Sequence, residues 1–263
     1  MNIIKELFNE TVPDKPVSDN TLNYAIAITP RSGSSYLSDV LSQTKSLGRP
    51  GEFLPKEHIV IALKNRNIEI GSISVADHFE WVVKQTKTGS IFGQKMSFFQ
   101  FQKFANIEGE NIFNILFPNT KFIYLIRRSI IKQAISMYLA DETQVFHNNN
   151  ENYTRDEEDI EFNFEKIFFW VKHIRAQELG WQKYFDQNAI PHLTLYYEDI
   201  IGNLSYTLNL ISSFIQENLD INVPSTANHT KIKSDKSKRF YQTIIQDKKT
   251  MSALLKILPN ERL

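Results

Sequence analysis

The chain has 263 residues, of which 41% are hydrophobic, 23% charged and 12% aromatic, enough to build a sizeable folded core. Thirty basic residues balance thirty acidic ones, which disfavours nucleic-acid binding through bulk positive charge. The lack of cysteine excludes disulfides, thiol catalysis, iron–sulfur clusters and cysteine zinc sites, and no run approaches the roughly eighteen apolar residues of a membrane span.

Met1-Asn2-Ile3-Ile4-Lys5-Glu6-Leu7 lacks the basic-then-apolar order of a secretory signal, so the expected location is the cytoplasm. No repeat or linker divides the chain, and one domain is expected over residues 1–263. The first apolar run, Tyr24-Ala25-Ile26-Ala27-Ile28, reads as a buried strand. It leads through Thr29-Pro30-Arg31-Ser32-Gly33-Ser34-Ser35-Tyr36 into a helix with Leu37, Val40 and Leu41 on one face. Such a turn presents backbone N–H groups to an anion at a helix start. Ser32, Ser34 and Ser35 add hydroxyl donors and Arg31 adds a cationic fork. The Walker A spacing GxxxxGKS/T is absent, and a Ser-rich turn of this kind also serves as a simple helix cap.

Gly and Pro bend the next segment, Gly48-Arg49-Pro50-Gly51-Glu52-Phe53-Leu54, and set a carboxylate near that helix. Glu52 is therefore a candidate general base. Ser74 to Asp77 resembles a capping box opening a helix toward Val82 and Val83. Ser90-Ile91-Phe92-Gly93 is a second strand, with Lys95 near its end, and Lys121 to Ile126 is a third. The third strand ends in Arg127-Arg128-Ser129 and enters a helix carrying Ile131, Ala134, Ile135, Tyr138 and Leu139 on one face. Arg128 and Ser136, eight residues apart, are placed to converge on one oxyanion.

A polar, acidic loop follows at about 147–162, either a lid or a solvated insertion. Phe164, Ile167, Phe168, Val171, Ile174, Trp181 and Phe185 form a long apolar helix stripe, read as core. His192 to Tyr197 is a fourth strand, and Leu204, Leu208, Ile211 and Ile215 mark another helix. Strands alternating with helices predict an α/β fold, and the carboxyl ends of its parallel strands form a ligand crevice. Two basic, hydroxylated strand ends in that crevice suit a ligand with two separate phosphate-like groups. The six histidines show no metal-binding helical spacing, and no metal is assigned.

Thr29-Pro30-Arg31-Ser32-Gly33-Ser34-Ser35 and Gly48-Arg49-Pro50-Gly51-Glu52-Phe53 resemble the TPRSGST and GRPxEYF segments of the bacterial trehalose 2-sulfotransferase family. Further likenesses follow in order. They are Phe92-Gly93-Gln94-Lys95-Met96, Leu125-Ile126-Arg127-Arg128 with Gln133-Ala134-Ile135-Ser136, Gln144-Val145-Phe146-His147, Trp181 to Phe185, Tyr196-Tyr197-Glu198-Asp199 and Ser234-Asp235. Phe146 stands where the family usually has Trp.

The resemblance implies a P-loop-like central parallel β-sheet flanked by α-helices. It also implies sulfuryl transfer from 3′-phosphoadenosine 5′-phosphosulfate (PAPS) to a hydroxyl of a sugar, glycoconjugate or similar small acceptor, without a metal and with room for a homodimer. Glu52 falls on the family's general base. Arg31, Ser32, Gly33, Ser34, Ser35 and Tyr36 would hold the 5′-phosphosulfate, and Arg128 with Ser136 the 3′-phosphate. Arg31 and the turn's N–H groups would meet the charge on the leaving group, with Lys95 a second candidate for that charge. The family commonly has Arg-Gln before the Ser-Asp pair. Here Ile232-Lys233 stands there, so Lys231 or Lys233 would supply the charge. The alternatives are a nucleotide-dependent phosphotransferase on the same loop and a catalytically silent nucleotide-binding protein. Glu52 beside both anion segments favours an enzyme.

Overall fold

The structure is a computed structural model that describes residues 3–9, 12–13, 15–17, 20–107, 109–146, 156–217, 219–224, 234–258 and 262–263. His147, Lys231 and Lys233, and most of the predicted polar loop, lie outside these residues.

α1 (Ile3–Leu7) precedes β1 (Leu22–Ile28), which leads into α2 (Ser34–Gln43). α3 (Lys56–Asn65), α4 (Val75–Thr86) and β2 (Ile91–Ser97) follow, and β2 turns directly into α5 (Phe98–Ala105). A short antiparallel pair, β3 (Asn106–Ile107) and β4 (Glu110–Asn111), and α6 (Ile112–Leu116) lead to β5 (Lys121–Ile126) and α7 (Ile130–Thr143). A 3₁₀ turn at Glu157–Asp159 precedes α8 (Phe164–Gln187), β6 (His192–Tyr196) and α9 (Tyr197–Gly202). α10 (Leu204–Ile215), α11 (Asp235–Gln246) and α12 (Lys248–Leu255) complete the order.

The four apolar runs are the four strands of one sheet, ordered β2-β1-β5-β6 with every pair parallel. Because side chains alternate along a strand, β1 sends Ala25 and Ala27 into one core and Tyr24, Ile26 and Ile28 into the other. β5 does the same, with Phe122, Tyr124 and Ile126 on the first side and Ile123 and Leu125 on the second. A third cluster joins α7, the first half of α8, α11 and α12. Ser74 caps α4 as its sequence predicts, its Oγ accepting from Asp77 N at 3.0 Å. Two expectations shift. β2 runs on to Ser97, so Lys95 lies inside the strand, and Tyr197 begins α9 instead of ending β6. Among the described residues no helix is long and apolar enough to cross a membrane.

The strand order reverses at β1, between β2 and β5, so the crevice at the strand ends opens beside β1 and β5. Trp181, fully buried on α8, donates its indole N–H to the Ile28 carbonyl at 3.1 Å and holds the last residue of β1. On the far edge, Tyr24 passes Gly93 to donate its hydroxyl to the Leu47 carbonyl at 2.8 Å. A Cβ on Gly93 would stand 2.2 Å from the Tyr24 ring, so only glycine admits this link to the Gly48–Leu54 loop.

Candidate functional site

A cleft of about 1300 Å³ opens at the carboxyl ends of β1 and β5. Its floor is the turn from β1 into α2. Gly33 is left-handed, with φ +92°, and a Cβ there would stand 2.1 Å from the Tyr197 ring. Gly33 therefore lets α9 close against the turn and lets α2 begin with no side-chain cap on its first N–H groups. Among the described residues the buried Ser32 hydroxyl has no hydrogen-bond partner. Uncapped amides and an unpaired hydroxyl in one turn are what a bound anion would satisfy.

Arg31 is also left-handed, at φ 61°, a strained conformation for a non-glycine residue. Its neighbours hold it there. The fully buried Gln133 on α7 donates Nε2 to Thr29 Oγ1 at 2.8 Å and to the Pro30 carbonyl at 2.6 Å. The Arg31 side chain crosses the cleft, with Nε donating to Ser136 Oγ at 3.2 Å and a terminal nitrogen to the Phe146 carbonyl. Burial, and the charge of Arg127 beside it, hold the Arg31 guanidinium below its ordinary value. The two anion segments of the sequence thus meet through one arginine.

The two arginines at the end of β5 part company. Arg127 lines the cleft, 5.1 Å above the Tyr197 ring and 3.7 Å from Glu198, and its terminal nitrogen reaches the Arg31 carbonyl at 3.5 Å. Arg128 points outward. It is half exposed, bonded to both oxygens of Asp199 at 2.7 Å and stacked on Tyr196 at 4.4 Å, and that carboxylate raises its pKa. The structure therefore brings Ser136 to Arg31, with Arg127 lining the same cleft, and leaves Arg128 on the outer side of the strand end.

Glu52 lines the cleft from the opposite wall. Its loop runs beside β2, where Lys95 N donates to the Gly51 carbonyl at 2.8 Å. The carboxylate is held at both oxygens, by Gln100 Nε2 at 2.9 Å and by the buried Lys95 ammonium at 3.5 Å. Gln100 is itself fixed by a capping box at the start of α5. Ser97 Oγ accepts from Gln100 N at 3.3 Å, and Gln100 Oε1 accepts from Ser97 N at 2.8 Å. His58 shares this wall, its Nδ1 2.7 Å from the Glu52 carbonyl. Ser34, Ser35 and Tyr36 line the cleft with Arg31 and Gly33, whereas Ser32 and Lys95 lie beneath its surface. Among the described residues, no group of three or more His, Asp or Glu side chains is arranged to hold a metal ion.

Three site residues escape the sequence reading. Gln100 carries a signal, the Ser97-Phe98-Phe99-Gln100 spacing of a capping box. Gln133 falls within the Gln133–Ser136 likeness, but its role is not legible there, because it depends on α7 packing against the β1 turn. Arg127 is concealed by its neighbour, since two adjacent arginines at a strand end face opposite ways and spacing alone does not say which faces in.

The profile of the Stf0 sulphotransferase family matches residues 23–242. The sulfotransferase domain from the Synechococcus PCC 7002 olefin synthase shares the fold, with a TM-score of 0.52 at 17% identity over 80% of this chain and 78% of that one. A sulfotransferase from Alicyclobacillus acidocaldarius is matched at TM-score 0.46 and 12% identity, covering 90% and 97% of the two chains. The mouse sulfotransferase SULT7A1 complexed with PAP is matched at TM-score 0.40 and 13% identity, covering 90% and 67%. No curated protein sequence matches the chain significantly. The family profile spans both anion segments, the Glu52 loop and the whole parallel sheet, and the chain is a sulfotransferase belonging to the Stf0 family.

Proposed function

We propose that the protein moves the sulfuryl group of PAPS to a hydroxyl of a carbohydrate or similar small acceptor. One observation carries this reading: a single cleft joins an uncapped, hydroxyl-lined helix start to a carboxylate held on the facing wall. The residues fit the donor. Arg31 and residues 32–36 would hold the 5′-phosphosulfate, and Ser136, Arg127 and Ser234, which line the same cleft, the 3′-phosphate. Arg128 can join them only by leaving Asp199, and Lys231 and Lys233 remain candidates from the sequence.

When bound, the donor supplies an electrophilic sulfur and a phosphate oxygen that gathers charge as the bond breaks. Glu52 takes the acceptor's hydroxyl proton at Oε1, the oxygen that Gln100 leaves free. Gln100 orients the carboxylate, and Lys95 stands beside Oε1 as the nearest buried cation. Arg31 and the first N–H groups of α2 offer fixed donors for the leaving phosphate. Gln133 keeps that donor set in place through Thr29 and Pro30.

The test is transfer from sulfur-labelled PAPS to a panel of sugars, glycoconjugates and phenols, with and without EDTA, alongside calorimetry with 3′-phosphoadenosine 5′-phosphate and ATP. Label on a sugar hydroxyl, insensitive to EDTA, with binding strongly favouring the bisphosphate, is the expected result. Equal affinity for ATP, or magnesium-dependent phosphate transfer, would point to the phosphotransferase alternative.

A further inference from the structure

A carboxylate already occupies part of the cleft's basic wall. The 3₁₀ turn at Glu157–Asp159 is fastened to α11 through its backbone, since the buried Lys236 ammonium donates to the Glu157 carbonyl at 2.8 Å and to the Glu158 carbonyl. Arg239 holds the exposed Glu158 carboxylate at 2.8 Å, away from the cleft. With its backbone fixed, Glu157 turns its own carboxylate inward, where it accepts the hydroxyl proton of Ser234. Both residues line the cleft. Ser234 is also the cap of α11, its Oγ accepting from Ser237 N at 2.8 Å, and Lys132 and Lys238 line the same cleft.

Two properties of Glu157 matter for an incoming phosphate. It holds the Ser234 proton, a donor on this wall, and its negative charge repels a second anion in a confined, partly desolvated space. We propose that Glu157 is an internal competitor of the nucleotide's 3′-phosphate: it keeps the Ser234 hydroxyl until the phosphate displaces it, and so sets nucleotide affinity. The inference rests on the cleft being the site of a 3′-phosphorylated adenosine nucleotide. Donor and product both carry that phosphate, so the carboxylate weakens both. The product must leave before the next turnover, and product release limits many enzymes.

Calorimetry on the full chain tests this with 3′-phosphoadenosine 5′-phosphate and with adenosine 5′-phosphate, which lacks the 3′ group. Glu157→Gln keeps an oxygen for Ser234 and removes only the charge. The bisphosphate should bind it about tenfold more tightly and the monophosphate within about twofold of the parent chain, the scale of one charge-assisted hydrogen bond. Glu158→Gln removes the same charge one residue along and should change neither affinity. Unchanged or weaker bisphosphate binding to Glu157→Gln overturns the inference. So does equal tightening for the monophosphate, or the same tightening in Glu158→Gln. Should Glu157→Gln fail to fold, Glu157→Ala removes the carboxylate while keeping the backbone bonds to Lys236, and the same tightening is expected. If the parent chain binds neither nucleotide, the nucleotide reading itself falls and the inference with it.

Discussion

Arg31 Nε donates to Ser136 Oγ at 3.2 Å across 105 residues of sequence, joining the turn after β1 to the second turn of α7. Neither residue is therefore an independent ligand. Arg31→Ala and Ser136→Ala should each weaken binding of 3′-phosphoadenosine 5′-phosphate, and the double variant should lose less than their sum. A coupling of about 0.5–3 kcal/mol is the range for residues in direct contact. A calorimetric double-mutant cycle that closes additively would show that the bond is absent once nucleotide is bound.

The two arginines after β5 should differ. Arg127→Ala is expected to cost about 1.5–3 kcal/mol of nucleotide binding, the scale of a hydrogen bond to a charged group. Arg128→Ala should leave binding nearly unchanged, because its guanidinium is committed to Asp199 outside the cleft. A larger loss for Arg128 would mean that it swings inward on binding, as its eight-residue spacing from Ser136 suggests.

Glu52→Gln should retain nucleotide affinity and lower kcat by about 10²–10⁴, the usual worth of general-base catalysis. Gln100→Leu probes orientation: the carboxylate stays but loses its 2.9 Å tether. Its kcat should fall less than that of Glu52→Gln, again with donor binding intact. Loss of binding without loss of turnover in Glu52→Gln would reduce the residue to a brace for its loop.

His78 links stability to pH. Burial, with a smaller contribution from Arg66, lowers its pKa from 6.5 to about 4, and the ring packs against Phe8 and Phe79. The unfolded chain takes up a proton near pH 6.5 that the folded chain refuses until about 4. The favourable contribution is therefore complete above that upper value and fades as the pH falls toward the lower one. The loss is on the order of 3 kcal/mol. Urea unfolding at pH 7 and pH 5 should show this decline, and His78→Phe should flatten it. A slope unchanged in His78→Phe would assign the acid sensitivity to other groups.

β1, β2 and β5 were legible because each is largely covered on both faces, so Tyr24–Ile28 and Phe122–Ile126 are almost unbroken in hydrophobicity, whereas the edge strand β6 buries only Leu195 and was read from its apolar residues alone. α11 was not, because it is largely polar and among its apolar residues buries only Phe240 and Ile244, which a periodicity reading does not register. α5 is short and crowded with phenylalanine, a composition that suits a strand as well as a helix. At the cleft, residue type and spacing sufficed to pick out Gly33, Ser34, Ser35 and the bent loop around Glu52 as neighbours of one another. What escaped were side chains whose role is to hold others, Gln100 and Gln133, since an amide reveals a partner only when the fold supplies one.

Trp181 sits beneath the last residue of β1, 153 positions away in sequence. The turn at residues 29–33 closes its own hydrogen bond, from Ser32 N to the Thr29 carbonyl at 3.2 Å, but takes its floor from α8 and its brace from α7. Contacts so distant in sequence form slowly, because a long loop must close before they reward it. During refolding, helical signal should return before the capacity to bind nucleotide, and that capacity should appear together with the burial of the Trp181 indole. The segment most recognisable in the primary structure is then among the last parts of the molecule to take its working shape.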